Sequence, residues 1–364
     1  MIRLTCNLEL ITPCLCGGAE PNKQAEIRPA SIRGQLRWWF RVLGGFKSLA
    51  AQGMSDREQE EMIFGSAAGD GRKSGKLIVR VRMTRIQQSR RDSEALGHRP
   101  FSDPAYLTFP MQSRKNVDGS RGVIDSGTFD LILTWRGATE FRPDLAALTT
   151  VYGNLGSLGF RSRRAMGALC LLEPESGLTA ALNRFSTANA ITIRSMSANS
   201  ASNAISKLGA WLRQWRSHGR SIDHAKNRGD ANQPPQNCGF AFAKRDHDIG
   251  YGNPDVRSDP AFRPALGLPI IQRTGRGTNN WEFGRGTFQE PKGRFASPVI
   301  LRPHKDAQGN WHALVIFVDA KQWPDDPAKG RPKSVYINGQ LRTVSRDLYD
   351  AMKADAPGYL QSFP

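Results

Sequence analysis

Residues 31–43 read SIRGQLRWWFRVL, and their spacing decides the first layer of the fold. At about 3.6 residues per turn, Ile32, Leu36, Trp39, Phe40 and Leu43 fall within roughly 100° of one another, which predicts an amphipathic helix with one stripe for a core. Arg33, Arg37 and Arg41 recur every fourth residue and form a row beside that stripe. No Glu or Asp stands three or four residues away inside the helix. The row is therefore neutralised from elsewhere in the fold, by solvent, or by an anionic ligand. Ser31 is placed to cap the helix, and Gly44-Gly45 to end it.

Upstream, Leu4, Cys6, Leu8 and Leu10 alternate with polar residues, as a half-buried strand does. Downstream, KLIVRVRM (76–83) and TFDLILTW (128–135) alternate in the same way, PDLAALTTVY (143–152) reads as a second helix, and ALCLL closes with a short strand. The resulting order, strand, helix, strand, strand, helix, strand, is ferredoxin-like and shared with RNA-recognition motifs. Residues 87–126 show no sustained period and form a long polar insertion. The remainder carries an amphipathic helix at 203–217, strands at 297–303 and 311–319, and a helix over Thr343 to Ala354. The expectation is an α+β protein of two ferredoxin-like domains in tandem, 1–173 and 174–364.

The chain has 364 residues, with 51 Lys+Arg against 33 Asp+Glu and a net charge of +18. Such a field attracts polyanions, so nucleic acid is the expected partner and a neutral-substrate enzyme acting alone is disfavoured. No apolar run suits a signal peptide or a membrane span, which places the chain in the cytoplasm with no membrane association. The five cysteines form no paired framework, and the lone C-L-C at 14–16 has no CxxC counterpart, so neither structural zinc nor any cofactor is expected.

Two further segments are candidates for contact with a phosphate backbone. GNLGSLGFRSRRAMG (153–167) places Gly156 and Gly159 beside Arg161, Ser162, Arg163 and Arg164; glycines let backbone N–H groups approach a phosphate, and arginines bond its oxygens. The alternative is a loop with solvated arginines. RTGRGTNNWEFGRGTFQEPKGRFASP (273–298) interleaves Arg273, Arg276, Arg285 and Arg294 with aromatics, the mixture found on single-strand binders, or else a loop anchored to a core by those aromatics. On the opening helix, Trp39 lies on the buried stripe, leaving Trp38 to face a ligand.

ITPCLCGGAEPNKQAEIRPASIRGQLRWWFRVL, MIFGS (62–66), NLGSLGFRSRRAMGAL, LGLPI and GRFASPVILRPH together resemble the first-subunit family of the type III-B CRISPR (Cmr) effector, in the RAMP superfamily. The resemblance implies a non-catalytic, RNA-binding subunit of two ferredoxin-like domains near the crRNA 3′ end. It would hold crRNA and target RNA beside backbone RAMP subunits and a Cas10-type subunit. On that reading Ser31, Arg33, Gly34, Arg37, Trp38 and Arg41 face RNA. Ala165 stands where the family commonly has glycine. The competing reading is a metal-independent endoribonuclease that processes CRISPR precursor RNA; such enzymes use a histidine near the first helix, and none precedes His98 here. The acids of the loop before the helix are Glu20 and Glu26. A free-standing RNA-recognition module is disfavoured because no strand matches its aromatic-rich signature.

Overall fold

The computed structural model describes residues 1–20, 22–66, 74–98, 102–113, 118–216, 240–268, 270–274, 277–283, 296–319, 334–337, 340–355 and 358–363. The first sheet is built from β1 (Ile2–Leu10), β2 (Leu77–Arg91), β3 (Arg121–Trp135) and β4 (Leu169–Leu171), in the order β2-β3-β1-β4. Each of its neighbouring pairs is antiparallel. Chain order and sheet order together make the ferredoxin-like arrangement. Leu4, Leu8 and Leu10 turn inward as their alternation predicts, and α1 (Pro29–Val42) and α5 (Arg142–Leu155) pack against each other and against strands of this sheet. Ile32, Leu36, Trp39, Phe40 and Leu43 are all buried. Each such side chain stabilises by about 1.5–3 kcal/mol.

Two local expectations are corrected. Arg28, not Ser31, is the N-cap of α1, and it makes no side-chain cap bond. Pro29 occupies the first turn, where its fixed φ suits a helix and its missing N–H costs nothing, so the helix starts earlier and Ser31 lies inside it. The insertion also begins as paired strand. β2 and β3 continue in register out to Arg91 opposite Arg121, with irregularities at Met83/Arg85 and Gln87/Gln88. Much of β2's outer half is exposed, so no inward face imposes alternation there.

Between these elements lie α2 (Lys47–Ala50), α3 (Asp56–Phe64) and α4 (Asp103–Leu107); α6 (Leu178–Leu182) follows β4. A second sheet then joins β5 (Ile191–Ala198), β8 (Val299–Lys305), β9 (Trp311–Val318) and β12 (Gln361–Ser362) in the order β12-β5-β9-β8. Numbered within itself this is 4-1-3-2, the permutation of the first sheet. α7 (Ala201–Arg216) follows its first strand, and α9 (Asp347–Ala354) precedes its last. The ferredoxin-like pattern is thus repeated, but with two excursions. β6 (Ile270–Thr274) and β7 (Gly277–Phe283) interrupt it after α7, and β10 (Ser334–Ile337) and β11 (Gln340–Thr343) after β9; together they form a third sheet, β11-β10-β7-β6. The helix expected from Thr343 therefore starts at Asp347, because Thr343 ends a strand.

The chain forms two compact units, one of Met1–Leu208, Ile300–Ala320 and Ser362–Pro364, the other of Gly209–Val299 and Lys321–Gln361. Residue 173, the expected boundary, lies inside the first unit, since β5, β8 and β9 belong to it. The second unit has its own core of Ile249, Val256, Ala261, Leu268, Trp281, Val335 and Ile337. Asp246 of α8 (Phe240–Tyr251) is fully buried there and accepts bonds from the Phe262 and Arg263 amides and from Arg263 Nε, while the Arg263 guanidinium lies 5.4 Å from the Trp281 ring. No described helix is long and apolar enough to cross a membrane.

Candidate nucleic-acid interface

The arginine row of α1 meets α3, which follows it in sequence. Arg33 donates to the Leu77 carbonyl (2.9 Å) and the Phe64 carbonyl (2.6 Å), tying α1 to the end of α3 and the start of β2. Burial, then Arg37 nearby, lowers its pKa. Arg37 and Arg41 both bond Glu60 of α3. Burial pushes the Glu60 carboxyl up, but the bonds from Arg41 and Arg37 outweigh it and hold the group below the usual range. Two cations sharing one carboxylate leave that pair at +1. The fold thus takes up much of the row. Gly34 is exposed, and a Cβ there would meet open space.

The glycine-rich loop runs from the end of α5 to β4. Gly156 is the C-cap of α5, and a Cβ on it would meet the Tyr152 carbonyl oxygen at 2.4 Å. At Gly159 φ is +80°, and a Cβ would lie 2.7 Å from the Leu15 carbonyl, so only glycine serves both demands. Arg161 and Ala165 also have positive φ, 63° and 69°. The second value gives a physical reason for glycine at that place. Arg161 donates to the Leu107 carbonyl, Ser162 is half-buried, and Arg163 sets its guanidinium 4.6 Å from the Trp38 ring. Burial lowers the Arg163 pKa to about 10. Arg164 is buried, and its neighbour Ala165 donates to the Leu301 carbonyl at 2.9 Å. Two of the predicted segments are therefore joined through Trp38 and Arg163, with the tryptophan half-buried beneath a cation.

Arg302, a residue the spacing arguments did not single out, anchors this loop from β8. It is fully buried and donates to the carbonyls of Gly156 (3.0 Å), Gly153 (3.1 Å) and Leu169. His304, two residues on, bonds the Asn154 backbone. Helix α5 ends in carbonyls without intrahelical partners and a negative dipole end, and one face of β8 supplies the donors. Burial lowers the Arg302 pKa to about 9, and burial followed by Arg302 lowers that of His304 to about 3. An arginine inside the apolar run VILRPH was the available signal. For Glu60 the signal is the acid-rich run DREQEE (56–61) a short way after the basic helix.

Three segments converge beside the loop. Leu15 pairs with Phe160, whose N–H donates to the Leu15 carbonyl at 2.9 Å, and Cys14 pairs with Ile124 of β3. From the β2–β3 ribbon, Arg121 bonds the Asn22 side-chain oxygen (2.6 Å), and Arg90 bonds the Asn22 carbonyl (2.9 Å) and Asp118. Exposed Lys23 pairs with Glu20 at 2.9 Å. His98 of the insertion is buried, its Nδ1 2.8 Å from Thr108 Oγ1, and burial lowers its pKa to about 4. Arg273 is carried on β6; Arg276, Arg285 and Arg294 lie outside the described residues. Among the described residues no group of three His, Cys, Asp or Glu is placed to hold a metal ion.

The sequence profile of the RAMP superfamily matches residues 7–170, from β1 through the loop to β4. Residues 7–170 thus carry the sequence pattern of the RAMP superfamily. Curated proteins to which the chain is similar include two Cmr1 proteins. The chain is 30% identical over 172 residues to the CRISPR system Cmr subunit Cmr1-1 of Pyrococcus furiosus, a match covering 43% of this chain and 46% of the relative. It is 29% identical over 181 residues to Cmr1-2 of the same organism, covering 45% of this chain and 91% of that one. The chain thus spans about half the length of the first of these relatives in sequence. The crystal structure of apo Cmr1 from Pyrococcus furiosus superposes on 98% of the chain and 97% of its own, with a TM-score of 0.53 at 15% identity, a likeness of fold. The RAMP match ends with the first sheet, whereas the likeness of fold extends through the second and third.

Proposed function

We propose that this protein is a non-catalytic, RNA-binding subunit of a type III-B Cmr effector, holding the crRNA 3′ region and target RNA. Its partners would be backbone RAMP subunits and a Cas10-type subunit in the cytoplasm. The observation that carries the RNA reading is the convergence of the glycine-rich loop, the loop after β1 and the β2–β3 ribbon, bringing Arg121 and Arg161 beside the ion-paired Lys23 and Arg90. Backbone amides and arginines at one place suit a sugar-phosphate chain, and the net charge of +18 draws it there. Of the two carboxylates before α1, Glu20 is paired with Lys23, which favours binding over cleavage there.

Titration of single-stranded RNA into the purified chain over a salt series tests the reading. The expected outcome is binding with little sequence preference, and a log K against log salt slope of about −0.7 for each phosphate neutralised. Incubation with RNA and magnesium should leave the RNA intact. Binding indifferent to salt, or a specific cut lost in Glu26→Gln, would contradict it.

A further inference from the structure

Phe160 is 42% exposed at the tip of the glycine-rich loop, an unusual place for a large apolar ring. It is held firmly. Its N–H is bonded to Leu15, and it stands between Gly159 and Arg161, both with positive φ. A left-handed non-glycine residue costs roughly 1–2 kcal/mol, so the fold maintains this display against a local penalty. The guanidinium of Arg121, from the β2–β3 ribbon, lies 5.5 Å from the ring centre. Arg121 is itself fixed by Asn22 and makes no ion pair among the described residues. Arg90 and Lys23 nearby are balanced by Asp118 and Glu20. The ring and its cation are therefore presented together from three separate chain segments.

We propose that Phe160, backed by Arg121, is a stacking platform for one nucleobase of single-stranded RNA. This rests on the RNA-binding reading above and goes beyond it, because a backbone-holding loop needs no exposed ring. Every base offers a π face, so the platform tolerates any sequence, while the adjacent guanidinium supplies cation–π attraction and a partner for phosphate. A protein side chain would be the other natural guest of an exposed ring; the cation beside it and the charge of the whole chain favour a nucleotide.

The test uses the full chain with two probes of equal length, a uridine oligoribonucleotide and a sugar-phosphate oligomer without bases. The wild type should prefer the base-bearing probe. Phe160→Ala should weaken binding of that probe by roughly 5- to 150-fold, abolish the preference and leave the salt slope unchanged, because no phosphate contact is lost. Phe160→Trp should retain the preference, which separates stacking from a folding defect. Salt-dependent binding with the preference intact in Phe160→Ala would overturn the platform and leave the RNA-binding reading standing. A wild type that binds neither probe would sink both. Loss of a co-purifying protein in Phe160→Ala, with RNA affinity unchanged, would overturn the platform in favour of a protein contact.

Discussion

The arginines of α1 and the cations around the glycine-rich loop are equally prominent in the sequence, but the fold employs them by different means. Arg37 and Arg41 share the carboxylate of Glu60, so α3 removes part of their charge. In the loop and its anchor, Arg161 and Arg302 bond carbonyl oxygens and Arg163 lies over a ring, so these guanidiniums tie backbone segments together instead of converging on one carboxylate. A regular row of cations on a helix thus says little about a polyanion site until the neighbouring helix is known. The loop combines arginines with a close approach of the backbone at Gly156 and Gly159.

Acid should begin to cost stability through the buried histidines at a higher pH than through the row. His304 is neutral beside Arg302 and His98 is neutral in the insertion, with pKa values lowered from the usual 6.5 to about 3 and about 4. The unfolded chain takes up these protons first. Their contribution is fully present above pH 6.5 and drains as the pH falls towards 4 for His98 and 3 for His304. Between pH 7 and 4.5 the two should cost on the order of 5 kcal/mol together, seen as a falling denaturant midpoint. The Glu60 carboxyl pKa is lowered from its usual 4.5, so the contribution of its pairs is lost only as the pH falls below that value. Stability flat over this range would remove the neutral histidines from the account.

Arg302→Met should be the most damaging single change at neutral pH, by about 3 kcal/mol, because it strands buried carbonyls at the end of α5. Arg302→Lys, which keeps charge and donors, should lose less. Glu60→Gln should cost about 1 kcal/mol, a modest figure since Arg41 is half-exposed. It should not steepen the salt dependence of RNA binding; a steeper slope would mean that the α1 face lies on the RNA after all. The smallest effect should be a gain. Ala165→Gly relieves the positive φ and should raise stability by up to about 1 kcal/mol, the relief being offset by glycine's greater chain entropy; destabilisation would show that the Ala165 methyl is needed for packing.

What was legible in the sequence follows from how local the deciding forces are. Leu4, Leu8 and Leu10, and the stripe from Ile32 to Leu43, revealed the first sheet and its helix because burial on one face imposes a period. The ribbon beyond Gln87 is illegible because the outer half of β2 is exposed and its partner buries three consecutive residues, Gly122 to Ile124, so neither strand alternates there. Of the second sheet, β8 and β9 are legible as the strands expected at 297–303 and 311–319, whereas β5 and β12, the latter only two residues long, are not. Glu60 and Arg302 were missed because their partners stand 19 to 149 residues away, beyond any spacing argument within one helix or strand. The glycines and Ala165 were noted as a loop, but which of them needed positive φ depended on Leu15 and Leu301, which the loop's own sequence does not show.

In the proposed function RNA would be held by the loop surface and not by the α1 row. The direct measurement is the salt slope of single-stranded RNA binding in two sets of variants, Arg121→Ala, Arg161→Ala and Arg163→Ala against Arg37→Ala and Arg41→Ala. For each cation that contacts a phosphate the slope should flatten by about 0.7. This loss is expected in the first set and a wild-type slope in the second. A wild-type slope in the first set with flattening in the second would contradict it and return the RNA to α1.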